Sequence, residues 1–376
     1  MKRFIKVIAI FVVCIALIAC GKNADDDAIG DVPPDGEIPT SSPGDGSAGE
    51  SSSATDAPPA EMNLSSFNPL TGLNDMKDYI AGQRPVAVCV NNYRYSREQT
   101  GLSKADIIVE AVSEQGHTQI VCLFTDVSGL GKIGPIDCIY NTFVKALGGL
   151  DPIFVHYGQP VDYPNTLVDT RAIPTLDGEK NEAVIYVDED RHEDYLIEYS
   201  RFTDGARINA AIQGAFAESL KEGGAAFNFV PPGTPKTVPS TGEADSVSAA
   251  FSGIYDVDMR YDAETAKYLQ FQFLYEHTDK ANKKQLEFEN VFILFARFDS
   301  LTDLHGTKNR LVEADFSPGG MGYYFSGGRY ERISWKMGEE FFEFFTGGGD
   351  PLSVNVGKSY IAIIDEQNEY AMKIEG

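Results

Sequence analysis

Cationic residues are scarce in this chain. Lysine and arginine number 31 against 56 aspartates and glutamates, a formal net charge of −25 over 376 residues. The first nineteen residues hold Lys2, Arg3 and Lys6 and no acid, so from Cys20 onward 28 bases face 56 acids. Such a surface repels phosphate backbones, which argues against nucleic acid as a partner. Cysteine is sparse as well: Cys14, Cys20, Cys89, Cys122 and Cys138. No C-x-x-C occurs, so neither a thioredoxin motif nor a zinc ribbon is supported. Cys89, Cys122 and Cys138 sit in apolar stretches such as "VAVCVNN" and "QIVCLF" and read as small buried hydrophobes, with one disulfide among them left open. G-x-S-x-G, H-E-x-x-H and the papain-like cysteine signature are all missing, as is any internal repeat. No cofactor and no resident metal are expected.

What is present begins at the amino terminus. "MKRFIKVIAIFVVCIALIAC" has a basic start, then an apolar run from Val7 to Ala19 too short for a comfortable transmembrane span. Leu17-Ile18-Ala19-Cys20 resembles a bacterial lipobox. That resemblance implies a signal peptide over 1–19, cut before a diacylglycerol-bearing Cys20. Two or three acyl chains hold a protein firmly on a membrane, whereas one does not. Residues 20–64 are rich in Gly, Ser, Pro and Asp with hardly a large apolar side chain, so they read as a disordered tether. Some forty flexible residues have a root-mean-square reach of roughly 35 Å. The expected location is the outer face of the cytoplasmic membrane, with a cell-wall or protein partner within reach.

The remainder is long enough for two domains of roughly 100–200 residues. Residues 65–230 mix strands and helices. Arg84–Asn92 reads as a strand, and "ADIIVEAV" and "QIVCLF" read as a hairpin across "SEQGHT". "CIYNTFVKALGGL" has helical spacing and stops at Gly148-Gly149. "PIFVHYG" and "AVIYVD" suit buried strands. Ile208, Ile212, Phe216 and Leu220 form one stripe of a helix ended by Gly223-Gly224. Residues 231–246 read as a linker, and 247–376 as strand after strand between glycine turns, a small sandwich or half-barrel. There Leu269, Phe271, Phe273 and Tyr275 alternate with polar residues as the buried face of a half-buried strand. The fold class expected is α+β: an N-terminal α/β domain with a mixed sheet, then a mostly-β C-terminal domain.

Four stretches invite chemistry. "GLGKIG", Gly129 to Gly134, matches G-x-G-x-x-G, but Pro135 follows where a dinucleotide site needs a helix, so it reads as a turn. Asp256 and Asp258 share a strand face, and Asp188 to Asp194 form an acidic cluster; both read as solvated surface. "EAVSEQGHTQ" is different. It gathers Glu110, Glu114 and His117 around a hairpin end, and His156 closes another predicted strand. Strand ends of α/β sheets are where ligands bind, and a Glu–His pair can move protons near neutral pH.

The same residues carry a family resemblance. "NPLTGL", "RPVAVCVNN", "REQTGLSKADIIVE", "KIGPI" and "PIFVHYG" resemble the YerB-like lipoproteins of Gram-positive bacteria. So do "ENVFILFA", "GGRYERISWKM" and "GDPLSVNVGKSYIAII" further on. That is a two-domain family of unknown function, so the resemblance implies location and architecture and no reaction. The chain departs from the family's pattern where charge matters. Gln119, Asp137 and Tyr140 stand where the family carries arginines, so an anionic ligand held by such arginines should be lost or changed here.

Asn92, Gln99, Gly101, Asp106, Glu110 and His156 match the family. With Glu114 and His117, the side chains among them are expected to form the ligand pocket. The leading expectation is a non-enzymatic ligand- or partner-binding envelope lipoprotein. Its rivals are a cell-wall hydrolase or lyase using Glu110 or Glu114 with a nearby histidine, and a structural partner in a membrane assembly.

Overall fold

The computed structural model describes residues 66–376, apart from Asp162, Pro164, Asn165, Arg171, Ala172, residues 216–223, Pro232 and Pro235. Cys20, the lipobox and the tether lie outside the described residues. So does the second half of the helix expected through Phe216 and Leu220.

In the amino-terminal half, β1 (Val86–Asn91) is followed by the hairpin of β2 (Ile107–Glu114) and β3 (His117–Phe124). Gln115 and Gly116 make its two-residue turn, both at positive φ, 51° and 78°, which suits the twist of the flanking strands. Helix α1 (Asn141–Leu147) leads to β4 (Ile153–His156) and β5 (Thr175–Asp177). Strand β6 (Arg201–Asp204) runs directly into α2 (Gly205–Ala215). The pairing is of both kinds: β1 is antiparallel to β3 and parallel to β4.

The carboxy-terminal half is rich in strands. The antiparallel run β7 (Ser246–Ala250), β8 (Asp256–Asp262) and β9 (Lys267–Gln272) starts it. Then come β10 (Asn290–Thr302), β11 (Lys308–Asp315), β12 (Gly320–Ser326), β13 (Arg329–Met337), β14 (Phe342–Thr346) and β15 (Ser359–Asp365).

Strand β15 lies between β10 and β2 and is parallel to both. One twelve-stranded sheet therefore runs through both halves of the sequence. Its inner strands are apolar on both faces because both faces are covered. On one face α1 packs through Phe143, Ala146 and Leu147 beside Phe227, Phe292 and Trp335. On the other, Val247, Val257, Met259 and Tyr268 of the β7–β9 sheet cover Val88, Val90, Ile108 and Ile120.

The alternation expected in β9 is reversed. Tyr268 and Gln270 are the buried residues, Leu269 and Phe271 are half-buried, and the strand ends at Gln272. The outward aromatic rings serve as platforms for arginines: Arg260 lies 3.9 Å from the Phe271 ring centre and Arg97 lies 5.0 Å from that of Tyr275. An amphipathic alternation thus marked a cation-bearing face rather than the core.

Candidate functional site

The residues expected to form one pocket are distributed over both faces of the central sheet. Side chains alternate along a strand, so Ile108, Glu110 and Val112 of β2 face the β7–β9 sheet, while Val109 and Ala111 face α1. Glu110 is 1% exposed, and both of its oxygens are occupied. Oε1 accepts from Asn92 Nδ2 at 3.0 Å and Thr118 Oγ1 at 2.7 Å, and Oε2 accepts from the Tyr360 hydroxyl at 2.7 Å. Burial pushes its carboxyl up to about 7, with the Tyr360, Thr118 and Asn92 hydrogen bonds opposing.

Asn92 extends this seam. Its Oδ1 accepts from Gln99 Nε2 and Gln272 Nε2, each at 3.0 Å, and its backbone carbonyl accepts from the Tyr255 hydroxyl at 2.8 Å. Gln99 Oε1 accepts from His277 Nε2 at 2.6 Å. Tyr255, Gln272, His277 and Tyr360 all come from the carboxy-terminal half, so the seam is a buried polar joint between the halves.

His156 is on the opposite face. Val155 packs toward the β7–β9 side, so His156 points with Phe154 toward the α1 side. Its Nδ1 donates to the Gly158 carbonyl at 2.7 Å. Asp106 precedes β2, where its Oδ2 accepts from the Thr125 amide at 2.7 Å. Glu110 therefore lies on the opposite face of the sheet from His156, and its hydrogen-bond partners among the described residues are Asn92, Thr118 and Tyr360.

Glu114 and His117 do come together, at the hairpin's end. They oppose each other across a bulge in the β2–β3 ladder. The Tyr93 hydroxyl donates to Glu114 Oε1 at 2.8 Å, and the Tyr93 ring stacks on His117 with centroids 4.1 Å apart. Burial lowers the His117 pKa, with the neighbouring Glu114 charge opposing.

Glu114 and Tyr93 line a cleft of about 400 Å³ on the α1 side. Asp137, Tyr140, Tyr157, Glu179, Glu198, Tyr199, Arg201 and Arg310 complete its polar wall. Asp137 and Tyr140, which depart in sequence from the family pattern, both reach this wall. Gln119 lies beside Asp137. Its Nε2 donates to the Cys138 carbonyl at 2.7 Å.

Asp137 Oδ2, in this wall, and Gln119 Oε1, buried beside it, have no hydrogen-bond partner among the described residues. Burial pushes Asp137 up to about 6, while the Cys138 amide, 2.9 Å from Oδ1, and Gln119 oppose it. The Arg201 guanidinium lies over the Tyr157 ring, 3.6 Å from its centre, and forms no ion pair among the described residues. The cleft thus offers one unfilled acceptor, Asp137 Oδ2, and a guanidinium with no ion pair among the described residues within one wall. Tyr93, Tyr157, Tyr199 and Arg201 carried no local sequence signal, because they converge from segments as far apart as positions 93 and 201.

The remaining motifs are structural. Gly134 and Pro135 lead to an irregular stretch before α1, with no helix opening behind the glycines. Asp188 caps a single helical turn, Glu189–His192, by accepting from the Arg191 amide at 3.2 Å. Asp258 pairs with Arg260 at 3.0 Å. No cluster suited to a metal occurs among the described residues. Cys89, Cys122 and Cys138 are free thiols, all pushed up by burial.

Family models for the protein of unknown function DUF3048 match the chain twice, the N-terminal domain over residues 70–218 and the C-terminal domain over residues 247–361. The protein named "Putative lipoprotein YerB" of Bacillus subtilis (strain 168) is 42% identical over 90 residues, 24% of this chain and 27% of that protein. The matched stretch thus spans about a quarter of that relative's length. The crystal structure of the YerB protein from Bacillus subtilis is similar over 82% of this chain and 99% of that one, with a TM-score of 0.68 at 25% identity. Among the described residues no helix is long and apolar enough to cross a membrane.

Proposed function

This chain belongs to the YerB-like DUF3048 family of unknown function, and we propose that within it the chain is a non-enzymatic envelope lipoprotein that binds a wall-derived peptide. It is held by lipid on Cys20 at the outer face of the cytoplasmic membrane. The lipobox, the following tether and the relative's name support that location. In this reading an α/β amino-terminal half with a mixed sheet supplies the cleft, and the strand-rich carboxy-terminal half supports it.

One observation carries the choice of ligand. The unfilled acceptor Asp137 Oδ2, with Gln119 beside it, shares a cleft with Arg201, which forms no ion pair among the described residues. A buried acceptor left without a donor is costly, so a ligand that brings an ammonium or amide gains the full interaction. Arg201, held over the Tyr157 ring, supplies a guanidinium suited to a carboxylate. A peptide bearing an amine and a carboxylate matches both. Where the family carries arginines, Asp137 and Tyr140 move the preference from anion to amine.

Calorimetric titration of the protein with the tripeptide Ala-Glu-Lys tests this reading. Binding is expected, and it should vanish when the peptide's amines are succinylated to carboxylates. Equal binding of the succinylated peptide would overturn it.

A wall hydrolase is the second reading, favoured by one feature: Glu114 and His117 are bridged by Tyr93 at the cleft's edge. Turnover of wall material that depends on Glu114 distinguishes it.

A further inference from the structure

A larger cleft, about 810 Å³, opens on the other side of the Arg94–Gln99 segment. Arg94, Arg97, Lys280 and Lys283 line it against two carboxylates, Glu98 and Glu276. Lys280 is engaged by Glu98, whereas Arg94, Arg97 and Lys283 have no ion-pair partner among the described residues. In a chain with 56 acids, three unpaired cations converging in one cleft is a local reversal of charge.

The cations are held in place. Arg191 donates from Nη2 to the Arg97 carbonyl at 3.0 Å and to the Tyr95 carbonyl at 3.3 Å, fixing the segment that carries both arginines. The Arg94 guanidinium lies 5.8 Å from the Phe273 ring centre and that of Arg97 lies 5.0 Å from the Tyr275 ring centre. Phe273 belongs to an unusual turn. Phe273 and Leu274 both have positive φ, 52° and 69°, in a two-residue hairpin where glycine or asparagine is the ordinary choice. Such strain on bulky residues persists where surrounding structure fixes it, and it clusters at ligand sites.

The rest of the lining is not purely anion-binding. Tyr95 and Tyr195 are exposed at 68% and 39% and flank the cations. His277 contributes to the wall, is 7% exposed, and its Nδ1 has no partner among the described residues. Since Nε2 donates to Gln99, Nδ1 is an acceptor, and burial holds the ring neutral by lowering its pKa to about 4. The cleft therefore offers cations for an acidic group, an unused acceptor for a hydroxyl, and aromatic faces for a ring.

We propose that this cleft is a second binding site, for an acidic saccharide: a hydroxylated ring carrying a carboxylate or a phosphate. Its recognition is independent of the peptide cleft, so either assignment can fail alone. Calorimetric titration of the full chain with three probes tests it. They are a hyaluronan hexasaccharide for the carboxylate, mannose 6-phosphate for the phosphate, and chitohexaose as the neutral control.

Binding of at least one acidic probe is expected, and which one binds identifies the acidic group. Added salt should weaken it. The double variant Arg94→Gln/Arg97→Gln should weaken it by at least about tenfold, since charge-assisted hydrogen bonds are the strong ones. Both arginines are exposed, so the variant should melt like the wild type. Asp137→Asn, in the other cleft, should leave this binding unchanged. Failure of both acidic probes, equal binding of chitohexaose, or undiminished binding by the double variant would each overturn the proposal.

Discussion

The Tyr360 hydroxyl donates to Glu110 Oε2 at 2.7 Å, a bond between residues 250 positions apart in the chain. It ties β15 to its parallel neighbour β2 inside a layer from which water is excluded. Removing the hydroxyl in Tyr360→Phe should destabilise the fold by about 1–3 kcal/mol, because a buried acceptor loses a donor. Urea unfolding measures this, and a change within error would show that the joint contributes nothing.

Glu110 also sets a pH dependence. Its folded-state pKa of about 7 lies above the unfolded value of roughly 4.3. Between those values the unfolded chain releases a proton that the folded chain keeps, so stability falls as pH rises through that window. The loss is complete above the upper value and is on the order of 3 kcal/mol. Glu110→Gln should flatten the profile there, as read by urea midpoints across pH. Parallel profiles for variant and wild type would contradict the assignment.

In the proposed peptide cleft, Asp137 should act in the opposite sense. Its carboxylate is the form that receives an amine, and burial raises its pKa to about 6. Peptide affinity should therefore fall as pH drops through that value. Asp137→Asn should bind more weakly at neutral pH and lose this dependence. Asp137→Arg should weaken binding by at least about tenfold through like-charge repulsion.

Gly205, the first residue of α2, is a packing requirement. A Cβ there would overlap the Val127 carbonyl oxygen. Gly205→Ala should lower stability by about 1–3 kcal/mol although alanine is the better helix former. A melting temperature equal to or above the wild type would show that the Val127 loop gives way.

Much of the fold was legible because burial on two faces writes itself as continuous apolar runs. β1, β2, β3 and β15 all read that way, and the polar "SEQGHT" marked the hairpin. The place of β15 between β10 and β2 was not legible, since parallel pairing over such separation leaves no local pattern. The site was half legible. Glu114, His117, Asp137 and Tyr140 stood out by charge and position. Glu110 and His156 looked equally functional, but the one-residue phase of each strand sends them to opposite faces, into a buried seam and a structural bond. The β9 aromatics misled for a related reason: alternation shows that two faces differ, without showing which is covered.

The most direct test of the central claim is sedimentation of the protein with purified cell-wall sacculi, measuring both pelleted protein and released soluble fragments. Pelleting without release, abolished by Asp137→Arg, is the predicted result. Release of fragments that is lost in Glu114→Gln would contradict a binding protein and make this an enzyme of the wall.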